Sequence, residues 1–83
     1  MSKDINRLKV VLAEKKRTNK WLAEQLGKDP ATVSKWCTNT IQPNVETLVE
    51  IAKYLNVEIK DLFWLAKFML FSYVFLIISL HFT

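Results

Sequence analysis

The sequence is poor in the residues that carry most site chemistry, with one cysteine, one histidine, one glycine and two prolines in 83 residues. A single cysteine excludes an intramolecular disulfide and a multi-cysteine zinc site, so a reducing compartment is its simplest setting. Scarce glycine and proline argue against a β-sandwich, which needs many turns, and against low-complexity disorder. His81 lies two residues from the end of the chain, which makes histidine-centred metal or acid–base chemistry a poor explanation of function.

The sequence also lacks the sets of residues that are typical of active sites. The sequence contains no Ser/His/Asp set, no paired carboxylates at catalytic spacing and no phosphate-binding glycine loop. We therefore predict that the chain is not an enzyme and binds no cofactor or metal. Cys37 is interpreted as a small buried residue late in a helix. No apolar stretch of the signal-peptide type follows the first charged residues, which predicts a cytoplasmic protein, with membrane association through the C-terminal tail left open.

Positive charge is concentrated in one quarter of the chain. The formal net charge is +4, and residues 15–35 alone hold six lysines and arginines against two acidic residues. A concentrated basic segment on a folded surface attracts polyanions such as nucleic acid or acidic lipid. A solvated helix surface is the simpler alternative, so the charge needs a defined geometry before it indicates a site.

Apolar residues at helical spacing predict helices at both ends of the first sixty residues. The first helix is predicted from about Asp4, as its N-cap, to Lys16. Its apolar stripe is Ile5, Leu8, Val11 and Leu12. The fourth helix is predicted between Asn44, as N-cap, and Asn56. Its apolar stripe is Val45, Leu48, Ile51, Ala52 and Leu55. A short fifth helical segment is predicted over residues 58–62.

The second and third helices are predicted to lie very close together along the chain. Thr18 is a good N-cap for the second helix, and Gly27 follows it where helices commonly end in a left-handed residue. Asp29 is an N-cap for the third helix, and Pro30 fits its first position because a proline there loses no needed N–H. This helix runs to Cys37. Two helices joined by a three-residue turn containing glycine form a helix-turn-helix.

The third helix is expected to project one polar surface from the domain, because Val33 and Trp36 anchor its other side in the core. The projecting residues, predicted to contact DNA bases, are Pro30, Ala31, Thr32, Ser34 and Lys35. They are short or carry hydrogen-bonding groups, which suits a helix that enters a major groove about 12 Å wide.

The start of the second helix is predicted to bind the phosphate backbone. Thr18 and Asn19 lie where free backbone N–H groups and the helix dipole favour an anion. Lys16, Lys20 and Lys28 flank this position in the sequence. A merely soluble helix surface remains the alternative on spacing alone.

Residues 17–27, RTNKWLAEQLG, and 29–36, DPATVSKW, resemble the helix-turn-helix of the XRE family, which contains the phage repressors and Cro. The resemblance extends over about residues 6–62, and Ala23, Gly27 and Val33 are its most specific positions. It implies an all-α fold, a compact five-helix domain that regulates transcription, often as a homodimer on an inverted repeat in double-stranded DNA.

Residue by residue, the resemblance places Thr32, Ser34 and Lys35 at base-reading positions. Asn19 stands in place of the usual glutamine, which implies a phosphate contact. Asn39 replaces a frequent glycine after the third helix and tolerates the left-handed conformation that glycine would adopt; we include it among the predicted phosphate contacts. Cys37 replaces a frequent glutamate.

The C-terminal segment does not resemble the family. Residues 62–83 contain 17 apolar side chains out of 22 and only one charged residue. As a helix they would be about 33 Å long at about 1.5 Å per residue, against about 30 Å of hydrocarbon in a bilayer. A membrane anchor, a helix that packs on the domain or on a second copy, an out-of-frame gene end and a β-prone aggregating segment are all compatible with it.

The sequence therefore predicts an all-α helix-turn-helix domain in residues 1–62 and a hydrophobic tail, with an apolar helix, in residues 63–83. The predicted function is sequence-specific binding of double-stranded DNA by a transcriptional regulator, of the repressor or antitoxin type. The alternative is a membrane-anchored or protein-interaction module in which the tail carries the activity.

Overall fold

The structure is a computed structural model that describes residues 4–64 together with residues 78 and 80. Its elements are α1 (Leu8–Glu14), α2 (Asn19–Leu26), α3 (Pro30–Cys37), α4 (Val45–Leu55) and a 3-10 turn (Ile59–Leu62). The all-α prediction is confirmed. The short fifth segment predicted over residues 58–62 is a 3-10 turn, so the domain consists of four α-helices and this turn.

Three helices begin and end at the residues that the sequence predicts. The side chains of Thr18, Asp29 and Asn44 each accept a hydrogen bond of 2.8–3.0 Å from a backbone N–H two or three residues later. α2 and α4 end in left-handed residues, Gly27 with φ of 65° and Asn56 with φ of 55°. Local capping chemistry is therefore sufficient to define these boundaries.

α1 begins at Leu8, four residues after the predicted N-cap, Asp4. The backbone before it is extended and pairs antiparallel with the chain after the 3-10 turn, through a bridge between Asn6 and Phe63. Two backbone hydrogen bonds, of 2.8 and 3.3 Å, flank this bridge. Because a backbone that pairs in this way cannot also be helical, Asp4 does not cap α1. Ile5, predicted to be in the core, is 55% exposed.

The core is formed by all four helices and the 3-10 turn. Its buried side chains are Leu8, Val11, Leu12, Leu22, Ala23, Val33, Trp36, Cys37, Ile51, Ala52, Leu55 and Leu62. The predicted anchors of α3, Val33 and Trp36, are among them. Val45 was wrongly predicted to belong to the apolar stripe of α4. It is the first residue of that helix and is 74% exposed, because the contact of α4 with the core begins about one turn later.

The predicted apolar helix of the tail lies mostly outside the described residues. Of that segment, Trp64, Ile78 and Leu80 are described with exposed side chains. Within residues 4–64, 78 and 80, no helix combines the length and the apolar character that crossing a bilayer requires.

Candidate nucleic-acid interface

The turn between α2 and α3 sets the relative orientation of the two helices. Gly27 is left-handed, and the N–H of Lys28 donates to the carbonyl of Ala23 over 2.9 Å, which closes the end of α2. Asp29 then caps α3 immediately. A Cβ at Gly27 would meet no atom within 4 Å, so glycine is favoured here by its backbone conformation and not by lack of space.

α3 has a buried side and an exposed side. Val33, Trp36 and Cys37 are buried, which fixes the rotation of the helix about its axis. The opposite surface carries all of the residues predicted to contact bases. Thr32 is half-buried, and the exposed ones are Pro30, Ala31, Ser34 and Lys35. The structure thus brings the five predicted residues together on one accessible helix surface.

The polar groups of this surface are free of internal partners. Among the residues that the structure describes, neither the hydroxyls of Thr32 and Ser34 nor the ammonium of Lys35 is bonded to another side chain or carbonyl. Their hydrogen-bonding capacity is therefore available to a ligand. A rigid helix that presents unused donors and acceptors is suited to reading base edges.

The N-terminus of α2 presents a second set of unused donors. The Thr18 hydroxyl accepts from the N–H of Trp21, while the backbone N–H groups of Asn19 and Lys20 have no acceptor within the described part of the chain. These N–H groups lie at the positive end of the helix dipole. The predicted phosphate contact at Thr18 and Asn19 thus coincides with free donors.

Lys16 and Lys20 lie next to this N-terminus along the chain, whereas Lys28 follows the C-terminal end of α2. Lys16, Lys20 and Lys28 are exposed, and no carboxylate in the described ranges forms an ion pair with any of them. Arg17, not predicted as part of the site, lies over the ring of Trp21 at 4.5 Å from its centroid. This contact holds one more cation beside the start of α2. An arginine four residues before an aromatic residue is the sequence signal that could have predicted it.

Asn39 adopts the predicted left-handed conformation, with φ of 59°. Its Oδ1 accepts from the backbone N–H groups of Ile5 and Asn6, at 2.9 Å each, and from Nε2 of Gln42 at 3.0 Å. Its Nδ2 donates to the carbonyl of Asn6 over 3.1 Å. Most of this amide is therefore used inside the protein, and its contact with phosphate stays a prediction.

Asn6, which the sequence reasoning missed, anchors the other side of this network. It is almost completely buried, and its Nδ2 donates to the carbonyl of Trp36 at 2.9 Å and to Oε1 of Gln42 at 2.7 Å. Its Oδ1 accepts from the N–H of Leu8, the first residue of α1, at 3.0 Å. We call the group formed by residues 5–7, Asn39, Gln42 and residues 62–64 the seam. It holds the loop after α3 against the N-terminus.

Arg7 adds a buried charge to the seam. Its Nη1 donates to the carbonyl of Asp61 at 2.8 Å, its Nη2 lies 3.7 Å from Oε1 of Glu14, and its guanidinium lies 5.1 Å from the ring centroid of Trp64. Its Nε is buried without a partner among the described residues. Arg7 therefore stabilises the fold through its contacts inside the domain.

Cys37 is buried, as predicted, and contacts the start of α2. Its Sγ donates to Oδ1 of Asn19 over 3.3 Å. Burial raises the pKa of the Cys37 thiol, and the positive charge of Lys9 opposes this shift. Lys9 is exposed, and the sequence reasoning did not include it among the cations of the site.

Comparison with known proteins gives matches to this region. The model of the helix-turn-helix family HTH_3 matches residues 8–62. The chain is also similar to a candidate DNA-binding protein from Bacteroides fragilis whose crystal structure is known. The two sequences are 57% identical, and the two structures superpose with a TM-score of 0.69. That match covers 70% of this chain and 94% of the other protein. No protein with a curated description matches the chain.

Proposed function

The chain belongs to the HTH_3 helix-turn-helix family, of the XRE type, and on this premise we propose that it binds double-stranded DNA sequence-specifically and regulates transcription. The observation that carries the proposal is the free polar surface of α3, which stands opposite the buried Val33 and Trp36. The similarity to the Bacteroides fragilis protein, which is described as DNA-binding, supports it.

In the proposed complex, α3 lies in the major groove. Thr32 and Ser34 can donate to or accept from base edges, and Lys35 can donate to the O6 and N7 acceptors of guanine. Pro30 and Ala31 are apolar, so their role is contact with thymine methyl groups. Since Val33 and Trp36 fix the helix in the core, the positions of these side chains are set before DNA binds.

The N-terminus of α2 is proposed to bind the sugar–phosphate backbone beside the groove. The free N–H groups of Asn19 and Lys20 and the helix dipole favour a phosphate there, and the exposed Lys16 adds charge. Lys28, beyond the other end of α2, is proposed to contact the backbone separately. Such contacts fix the position of the protein on the duplex without reading its sequence. They also make affinity depend on salt, because each neutralised phosphate releases counterions.

The direct test is selection of bound duplexes from a random pool with the full chain. We expect enrichment of a defined sequence, and two half-sites about 34 Å apart would show binding as a homodimer. The Thr32→Ala/Lys35→Ala double variant should lose this enrichment. Lys53→Ala, which removes the same charge from an exposed position on α4, should retain it. Recovery of no preferred sequence by the unchanged protein would contradict the proposal.

The second candidate function is a membrane or protein-interaction module that acts through residues 63–83. The apolar composition of this segment and the exposed side chains of Trp64, Ile78 and Leu80 favour it. The test is cell fractionation: carbonate-resistant membrane association that is lost on deletion of residues 66–83 would support an anchor. Unchanged DNA affinity of the shortened chain would show that the two functions are separate.

A further inference from the structure

A single side-chain hydrogen bond connects the end of α3 with the start of α2. The buried Sγ of Cys37 lies 3.3 Å from Oδ1 of Asn19, which is half-buried at the first position of α2. Asn19 is also the residue whose backbone N–H is free at the positive end of that helix. The thiol is thus in contact with a side chain of the proposed phosphate site, although Cys37 itself is too buried to reach DNA.

In the structure the thiol is the donor to one end of the Asn19 amide. Burial raises the pKa of Cys37 above its ordinary value of 9.0, with Lys9 only opposing this effect, so the neutral thiol is present at physiological pH. The neutral thiol can donate, although weakly, and this is its role in the structure. Of the two ends of the Asn19 amide, only Oδ1 can accept.

The opposite end of the amide is consequently available. With Oδ1 directed at Cys37, the Nδ2 group and its two hydrogens point away from the thiol, and no acceptor among the described residues bonds to them. The reverse orientation would present an oxygen, which repels a phosphate oxygen. The start of α2 thus presents N–H donors to a ligand: Nδ2 of Asn19 and the backbone N–H groups of Asn19 and Lys20.

We propose that Cys37 is a positioning residue for DNA-backbone recognition: its thiol fixes the Asn19 amide so that Nδ2 donates to a phosphate oxygen. The proposal rests on the DNA-binding function argued above and deepens it. Since phosphate contacts carry no sequence information, the effect of Cys37 on affinity is the same for selected and for random duplexes.

The test compares the full-length protein with Cys37→Ala and Cys37→Ser at low salt. The two substitutions leave nearly the same space in the core, so the hydroxyl donor is what distinguishes them. We expect Cys37→Ala to weaken binding to any duplex about five-fold, the net worth of one hydrogen bond. Cys37→Ser should retain most of the affinity, because its hydroxyl can still donate to Oδ1.

A double-mutant comparison separates positioning from a general effect on folding. Asn19→Ala alone should weaken binding, and adding Cys37→Ala to it should cause no further loss. Amide NMR of the free protein gives a readout without DNA: Cys37→Ala should increase the mobility of the Asn19 side-chain NH2 group, and Cys37→Ser should not. If Cys37→Ala weakened DNA binding as much in the Asn19→Ala variant as in the unchanged protein, the inference about Cys37 would be overturned and the proposed function would stand. Failure of the unchanged protein to bind any duplex would overturn it together with the proposed function.

Discussion

Two surfaces of this domain are built from similar polar residues but differ in where their hydrogen bonds go. In the seam, the side chains of Asn6 and Asn39 bond to the backbone and to Gln42, and little of their capacity remains. On the exposed side of α3, the side-chain hydroxyls of Thr32 and Ser34 bond to no other described residue. Polar groups with internal partners stabilise the fold, whereas free polar groups on a rigid helix are available for recognition.

The two regions also differ in the burial and the partners of their positively charged side chains. Arg7 is buried in the seam and bonds to the carbonyl of Asp61 and to Glu14. Lys35, on α3, is exposed and has no acidic partner in the described ranges. Substitutions should therefore change stability in the seam and DNA binding on α3, and the following changes test this division.

The largest effect is expected from Asn6→Ala. It removes three hydrogen bonds and leaves the carbonyl of Trp36 buried without that donor, so we expect a loss of about 3 kcal/mol in the free energy of unfolding. Urea denaturation followed by tryptophan fluorescence measures it. The fraction that remains folded should still prefer the selected DNA sequence. A variant with unchanged stability would show that the seam does not hold the domain together.

On α3, Thr32→Ala and Lys35→Ala are expected to cost about 1–3 kcal/mol in binding to the selected sequence. Each should relax the preference at one position of the site and leave the free energy of unfolding within about 0.5 kcal/mol, as for other surface substitutions. Competition titrations with single-base variants of the site provide the measurement. An equal loss on specific and on random DNA would refute the assignment of α3 to the major groove.

Lys28→Ala, between α2 and α3, should have a smaller and less selective effect. One phosphate contact is lost, so binding weakens alike for all sequences, and the slope of log affinity against log salt flattens by about one. Titrations at several salt concentrations measure the slope. Lys53→Ala on α4 is the matched control and should leave the slope unchanged. If Lys28→Ala instead changed the sequence preference, Lys28 would contact the bases and not the phosphates.

The smallest effect is expected from Trp64→Ala in the seam. The guanidinium of Arg7 lies 5.1 Å from the centroid of this partly exposed ring, and a contact of this kind contributes about 0.5–1 kcal/mol. The loss should appear in the free energy of unfolding and leave DNA affinity unchanged. Trp64→Phe should retain part of the contact, so a full loss with phenylalanine would argue against a cation–π origin.

Much of the candidate site could be predicted from the sequence because its chemistry is local. The caps at Thr18 and Asp29 and the left-handed Gly27 are determined by neighbouring residues, so the bounds of α3 and its exposed residues followed directly. The buried Val33 and Trp36 then fixed which surface of α3 remains outside. The family match over residues 8–62 confirmed the resemblance on which the functional prediction was based.

The errors of prediction lie where distant parts of the chain meet. An apolar periodicity placed Ile5 in α1, but pairing of Asn6 with Phe63 takes this backbone out of the helix. A pattern of neighbouring residues cannot predict a contact between residues that are more than fifty positions apart in the sequence. The bond between Cys37 and Asn19 was missed for the same reason, since it depends on how α2 and α3 pack.

The sequence alone determined the positions of α2, α3 and α4 and the exposed polar surface of α3, because caps, turns and helical periodicity act over a few residues. Only the tertiary structure decided which asparagines serve the fold and which remain free. Asn6, Asn19 and Asn39 are chemically identical side chains, and each acquires its role from the donors and acceptors that packing brings within about 3 Å of it.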